Sequence, residues 1–504
     1  MRICIIIAGG TITCAGKPLA PMPADRFAGA ARQLLGPTLA ATFPQLDLHF
    51  DDGLRFDSDS GLLDSTDLRP GDWCRIARRI LTGYADHDAF VVLHGTDTMD
   101  YSAAALPFLL NVFDPLGLGR AVLSKPVILT GAQLPLFRET SDGLVLNAGG
   151  DGFANLSGAL ACAALRIPEV SLFFDGKLWR GSRAIKVSTT RFAAFDSPHF
   201  QPLAEAGIGV WLGHAAPLPG PADPRLALDD PSARAMATAQ LDAVEASIEQ
   251  HPVVELPATP ADHSRQYPPL AAMIDAAVAQ GARGVLLTGY GEGNLPAGGG
   301  GIEAALRRAD DAGVTIMVGS RVIGGKVGTF NYAAGAWIAG TGAVGAGDMT
   351  PVAAFAKFSV LSAAANHNGW DRAGLRLLMQ RNLAGECTGQ DRLVDGAVLR
   401  PGMALKSACG GASLDNGPDG LVLRTGDGRP VWSLDRPGRL IMRDAPAFVA
   451  PDGAVLWQSD ARLPGGVLIL EGDTHPVLML HDPAGRIAPL KVAPIRDRGA
   501  RPGP

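Results

Sequence analysis

Residues Ala89–Leu93 (Ala-Phe-Val-Val-Leu) carry no polar side chain, and the next five, His94-Gly95-Thr96-Asp97-Thr98, are polar or backbone-permissive. A short apolar run with β-branched and aromatic members reads as a strand buried on both faces, as in a parallel sheet. Open α/β sheets bind ligands just beyond the carboxyl ends of such strands. The Thr-Asp pair leaving this strand can offer a hydroxyl and a carboxylate to one small molecule. The same residues can equally cap the helix expected over 99–110, because Asp and Thr are good N-caps.

A second strand end repeats the arrangement. The chain opens Ile3-Cys-Ile-Ile-Ile-Ala8 and breaks into Gly9-Gly10-Thr11-Ile12. Two glycines remove Cβ atoms where the backbone must turn sharply and approach another group closely. Further apolar runs end in polar or glycine-rich loops: Pro126–Thr130 before Gly131-Ala132-Gln133, Val170–Phe174 before the loop that carries Lys186, Gly284–Thr288 before Gly289–Asn294, and Val314–Val318 before Gly319-Ser320-Arg321. Helical stretches lie between them, which predicts a parallel sheet with helices on both faces. The segment Thr13–Asp25, with Gly16, Pro18, Pro21 and Pro23, has the composition of a mobile loop, and a helix is expected over 26–35.

At 504 residues the chain is too long for one ordinary domain. The Pro-rich stretch 215–232 reads as an interdomain linker. Beyond Leu393 the helical periodicity stops. Three strand–turn–strand segments follow, around Leu421–Trp432, Leu440–Trp457 and Leu468–Ile487. The expected domains are therefore 1–214 and 233–390, both α/β, and 393–504, all-β. A formal charge of −6 without a dense basic run gives no reason to expect nucleic acid. No run approaches the ~20 apolar residues of a membrane span. Six scattered cysteines read as reduced and structural, in a cytoplasmic setting.

Gly9-Gly10-Thr11-Ile12 and His94-Gly95-Thr96-Asp97-Thr98, about 85 residues apart, together resemble the two signatures of bacterial-type L-asparaginases. The likeness extends through Asp64-Ser65, Thr130–Gln133, Ser141-Asp142-Gly143, Lys186, Gly324–Val327 and Gly347–Thr350, over about residues 1–390, and is nearest to the cytosolic type I branch. It implies a two-domain α/β core that hydrolyses L-asparagine, and secondarily L-glutamine, without metal or cofactor. It also implies Thr11 as nucleophile, with Thr96, Asp97 and Lys186 as the second polar group and proton relay. Asp97 would pair with the substrate ammonium and Ser65 with its carboxylate, while backbone near Ala132 and Thr96 would face the developing oxyanion. A homodimer or homotetramer is implied, with Asn294 the candidate for completing a neighbour's site. Read without the resemblance, Lys186 is a solvated lysine, Ser65 and Asp67 are an N-cap pair, and His94 supports its loop by hydrogen bonding.

One departure stands out. The family's mobile loop carries a tyrosine that helps activate the nucleophile, whereas residues 13–27 here contain none. That keeps two other classes open: a non-catalytic amino-acid-binding or scaffold protein, and the ammonia-releasing subunit of a tRNA-dependent amidotransferase. The latter is expected to need a partner and an N-terminal extension, and this chain begins at its first strand. The region after 393 resembles the bulb-type mannose-binding lectins, a β-prism of three four-stranded sheets. Of that family's Gln-x-Asp-x-Asn-x-Val-x-Tyr site, the third repeat keeps Asp473 and Val477, with Glu471, His475 and Met479 at the other places. The second repeat keeps Val449 and the first Val422. Carbohydrate binding is therefore not expected.

Overall fold

Four parallel strands expected from the apolar runs, joined by a fifth at Asp47–Asp51 that no apolar run marks, form the parallel part of an eight-stranded sheet. The strands are β1 (Arg2–Ile7), β2 (Asp47–Asp51), β3 (Ala89–Leu93), β4 (Val127–Thr130), β5 (Val170–Phe174), β6 (Lys177–Arg180), β7 (Ala204–Ala206) and β8 (Val210–Leu212). Their order is β8-β7-β6-β5-β4-β3-β1-β2. Strands β2 to β5 run parallel with β1, and β6 to β8 continue the sheet antiparallel. These details come from a computed structural model. It describes the chain except residues 219, 222, 265, 267, 329, 331–334, 389–390, 408–411, 473–474, 483–485 and 491–504. Asp473 and parts of the 215–232 stretch thus lie outside the described residues.

From β1 the chain first adds β2 on one side and then β3, β4 and β5 on the other. The strand order therefore reverses at β1, which places the crevice of an open α/β sheet at the carboxyl ends of β1 and β3. The register makes those ends level: Ile7 pairs with Leu93, and Leu93 with Thr130. The ladder continues one step into the loops, from Ala8 N to Leu93 O at 2.9 Å and His94 N to Thr130 O at 2.8 Å. Ile3, Ile5 and Ile7 point into a core with Val91, Leu93, Phe27, Phe137 and Leu160. The helix Met99–Leu110 is buried along almost its whole length, which explains why its sequence shows no polar face.

A second parallel sheet is built from Val253–Pro257, Gly284–Gly289, Thr315–Ser320 and Val344–Gly345, with its own core of Leu287, Ile302, Leu306, Ile316 and Val318. Both sheets belong to one compact unit, Met1–Met379 with Leu383–Glu386. The remainder, Gln380–Asn382 with Cys387–Pro504, forms a second unit. In it three four-stranded antiparallel sheets surround a core of leucines with Trp432 and Phe448. Each sheet takes its first strand from one short stretch: Arg392–Leu393 pairs with Val467–Glu471, Val398–Leu399 with Arg439–Ile441, and Ala404–Lys406 with Ser413–Gly417. Trp432 and Trp457 meet edge to face at 5.7 Å. An α/β core with a parallel sheet plus all-β sheets at the C-terminus is the fold class the sequence predicts.

Two expectations need adjusting. Part of Thr13–Asp25 is ordered as a small hairpin, Cys14–Ala15 against Ala20–Pro21, and the following helix begins at Ala24. The Pro-rich 215–232 stretch ends inside a helix, Pro231–Ser247, because Asp230 caps its first turn by accepting from Ser232 N and Ala233 N, with proline at the first position. Gln240 of that helix donates to Phe108 O and Asn111 O, tying it to the first sheet's helices.

The tightest point in the fold is testable. Gly10 has φ +77°, and a Cβ placed on it would lie 2.0 Å from Gly95 Cα. Gly10→Ala should lower stability by on the order of 3 kcal/mol or more, because the atoms its Cβ would strike, Gly95 Cα and N, are backbone and cannot move aside. Gly29→Ala, in an open helical position with nothing within 4 Å, should instead raise it by about 0.5–1 kcal/mol. Calorimetric unfolding of the full-length variants checks both.

Candidate functional site

The geometry around the level strand ends follows from three glycines. Gly10 and Gly95 pack backbone to backbone, Ser65 Oγ lies 2.4 Å from a Cβ placed on Gly95, and His94 O lies 2.2 Å from a Cβ placed on Gly131. Gly10 N donates to Leu63 O at 3.0 Å, so the 62–67 segment closes the same cluster from the β2 side. Four loops therefore converge: those carrying Thr11, Ser65, Thr96-Asp97 and Ala132-Gln133.

Thr11 starts a single 3-10 turn, Thr11–Thr13. Thr13 is fully buried and its hydroxyl donates to Gly10 O at 2.8 Å. Thr11 is half-buried, and no hydrogen bond from its hydroxyl occurs among the described residues. Of the two threonines, only Thr11 is free to react.

Lys186 supplies the next contact. Its Nζ donates to Thr96 Oγ1 at 2.9 Å and to Asp97 Oδ1 at 2.6 Å. The lysine side chain is only 14% exposed and the Asp97 side chain 59%. The ammonium is thus enclosed while the carboxylate faces outward, where it can meet a cationic ligand. Thr96 Oγ1 in turn lies 3.4 Å from Gln133 Oε1 as donor. Thr66 Oγ1 lies 2.9 Å from Asp64 Oδ1 and 3.4 Å from Asp97 Oδ2, and Thr98 Oγ1 donates to Ser65 O at 2.8 Å. Ser65 and Ala132 are both buried at this junction.

Several supporting residues have no individual role assigned from the sequence. Gln133 Nε2 donates to Ser188 O and Arg191 O, linking Thr96 to the loop beyond Lys186. Asp151 accepts the Gln133 backbone amide with both oxygens, so that amide is not available to an oxyanion. Asn155 donates to Gly131 O and to Asp151. Asp100 accepts Lys186 N at 2.9 Å and Tyr101 N at 3.0 Å. In the sequence Asp100 reads only as an acid in a helix's first turn.

His94 is fully enclosed. A carbonyl can only accept, so Nδ1, 2.8 Å from Gly95 O, carries the proton and Nε2 accepts from the Ser102 hydroxyl at 2.9 Å. Burial pushes its pKa down to about 4, and the ring stays neutral as a brace. Asn294 is not brought to this cluster. It sits in the Tyr290–Asn294 turn after a strand of the second sheet, where its backbone exchanges hydrogen bonds with Tyr290. No group of three or more potential metal ligands occurs among the described residues. Five described cysteines, Cys4, Cys14, Cys74, Cys162 and Cys387, are buried and form no disulfide with one another.

Comparison with known proteins gives this geometry a context. Residues 2–217 match the family signature described as "Asparaginase, N-terminal" and residues 270–372 that of the "Glutaminase/Asparaginase C-terminal domain". The chain is 34% identical to L-asparaginase 1 of Escherichia coli K12 over 332 residues, 66% of this chain and 83% of that protein. It is 30% identical over 397 residues to a glutamyl-tRNA(Gln) amidotransferase subunit of Aeropyrum pernix, 76% of this chain and 79% of that one. The solved structure of L-asparaginase I from Vibrio cholerae superposes with a TM-score of 0.55 at 28% identity, covering 77% of this chain and 99% of that chain.

Asp100 makes the site's support sensitive to pH. Burial, opposed by the Lys186 and Tyr101 amides, raises its pKa from 3.8 to about 6. A raised carboxyl pKa adds stability that is fully present below about 3.8 and is lost as pH rises through about 6. Asp100→Asn should therefore gain on the wild type by roughly 3 kcal/mol between pH 4 and pH 7. Unfolding midpoints of the two proteins across that range test it; a constant difference would contradict the assignment.

Proposed function

The chain belongs to the asparaginase family, and on that premise we propose that it is an amidohydrolase converting L-asparagine to L-aspartate and ammonia. The observation that carries this reading is the contact of Lys186 Nζ with both Thr96 Oγ1 and Asp97 Oδ1, in the loop whose Gly95 packs against Gly10, the residue before Thr11. Thr11 Oγ attacks the side-chain amide carbon and the C–N bond breaks. The Thr11 proton leaves with the nitrogen as ammonia, and an aspartyl ester forms on Thr11. Water then attacks the ester carbon, the C–O bond to Thr11 breaks, and the threonine recovers its proton. Thr96, Lys186 and Asp97 form the path along which protons are handed over in the two half-reactions.

The outward Asp97 carboxylate takes the substrate ammonium, with Thr66 steadying its second oxygen, and Ser65 faces the carboxylate end. The amides of Thr96 and Ala132 are the donors for the oxyanion, since that of Gln133 is committed to Asp151. This scheme uses no metal or cofactor. We read the protein as a cytoplasmic homodimer or homotetramer in which Asn294 reaches a neighbouring subunit's site. No helix among the described residues is long and apolar enough to cross a membrane.

Release of ammonia from L-asparagine and L-glutamine by the purified protein tests the reading directly. Thr11→Ala, Thr96→Ala and Lys186→Ala should each lower turnover by at least about a thousand-fold while leaving the fold intact. Near-normal turnover in any of them would remove that residue from the scheme. The amidotransferase relative suggests a second reading, that ammonia is released only with a partner protein. No release by the isolated chain from either amide would favour it, or a non-catalytic binding role.

The three-sheet arrangement of the second unit supports its likeness to a β-prism lectin with its sugar sites lost. Glu471 faces His481 Nε2 at 3.3 Å, and Met479 occupies a strand of the same sheet, which leaves little to bind a polyol. We take this unit as a packing or assembly module. Titration calorimetry of the full chain with mannose should show no saturable heat.

A further inference from the structure

Lys186 must be held so that one Nζ reaches two partners, yet its own short strand, Ile185–Lys186, pairs with just two residues, Phe195–Asp196. Ahead of it, Asp100 grips the Lys186 amide. Behind it, the turn Gly181–Arg183 is gripped by a segment some two hundred residues later in the chain, Leu383–Glu386. Ser182 Oγ donates to Ala384 O at 3.2 Å and Arg183 Nε to Gly385 O at 2.9 Å. Arg183 also pairs with Asp348 at 3.4 Å and donates to its carbonyl at 3.1 Å. Gly385 has φ +80°, and a Cβ on it would stand 2.6 Å from Arg180 Cδ, so the segment lies flat on the arginine stem.

The segment is itself locked from below. Glu386 and Lys357 are both 0% exposed and meet at 2.6 Å. The carboxylate folds back to accept Leu383 N at 3.0 Å and Ala384 N at 2.7 Å, and Lys357 Nζ also donates to Met379 O at 3.1 Å. Facing this pair and its segment are the buried Arg180–Glu169 pair and Arg183–Asp348. A buried ion pair adds little net stability compared with an apolar replacement, but breaking one half of it is costly. Its value here is geometric: it fixes the shape of a four-residue loop.

We infer that Leu383–Glu386, locked by Lys357, is an internal strap whose Glu386 is a positioning residue for Lys186. The inference rests on the amidohydrolase reading for its kinetic consequence but not for its structural one. A strap that slackens lets the 181–186 turn drift, and displacements of the order of 1 Å in a relay lower turnover far more than substrate affinity.

The test uses the full-length chain with Glu386→Gln, which keeps the shape and removes the charge, and with Ser182→Ala, which removes one strap contact at a site expected to fold. Ammonia release from L-asparagine and hydrogen–deuterium exchange over residues 185–195 are measured for each. Glu386→Gln should lower kcat by about tenfold or more, leave KM within about threefold, displace the pH limb of kcat/KM, and speed exchange over 185–195. Ser182→Ala should move both readouts the same way by a smaller amount, and it alone decides the matter if Glu386→Gln does not fold. Wild-type exchange over 185–195 in the folded variants would overturn the strap, whatever the kinetics. Faster exchange with unchanged kcat and pH profile would overturn its positioning role. If the wild type releases no ammonia, the amidohydrolase reading fails and exchange alone judges the strap.

Discussion

The site exists because two backbones touch. Gly10 approaches Gly95 so closely that it could carry no side chain, Ser65 closes the space at Gly95, and the level register of β1 and β3 sets that approach. Everything chemical is hung one residue further on: Thr11 after Gly10, Thr96 after Gly95. The spacing of the two threonine backbones is thus set by main-chain packing and a hydrogen-bonded ladder, the stiffest parts of a protein. A pair of threonines brought together by loops alone would lose most of the benefit of orientation.

Around that contact the polar groups are graded by depth. His94 and Asp100 are enclosed and make only structural hydrogen bonds. Lys186 is mostly enclosed and bridges inward to Thr96 and outward to Asp97. Asp97 is the group that water, or a substrate, reaches first. In the proposed scheme this gradient separates the work of holding from the work of reacting. Burial lowers the proton affinity of the His94 ring and raises that of the Asp100 carboxyl, and both groups brace the site.

Much of this was legible in the sequence, for identifiable reasons. Apolar runs that stop at glycine and threonine announce strand ends, and Ile3–Ala8 and Ala89–Leu93 did so because both faces of each strand are buried. The helix starting at Pro231 was hidden because its cap, Asp230, sits in a run whose prolines read as linker. The hairpin at Cys14–Pro21 was hidden likewise by its glycine and prolines. Gln133, Asp151 and Asp100 act through contacts that span up to 86 residues of chain, and no local pattern records such contacts. Lys186 needed a family resemblance for the same reason: a lone lysine carries no periodicity, and its partners lie about 90 residues before it.

The way the second unit borrows its first strands has a consequence for how it is made. Lys406 pairs with Ser413, Leu399 with Leu440, and Leu393 with Leu468, so the three closures are nested one outside the next. During synthesis the innermost sheet can close as soon as Leu434 has emerged, while the other two initial strands wait with open edges. Each doubling of loop length adds only about 0.6 kcal/mol of closure entropy, so the outer sheets form readily once the inner one has drawn their ends together. The unit thus zips outward in the order its chain appears, and the strands around Leu393 and Leu399 stay unpaired longest. A nascent chain halted before residue 467 would present an unpaired strand at Arg392–Leu393, available for pairing with another chain.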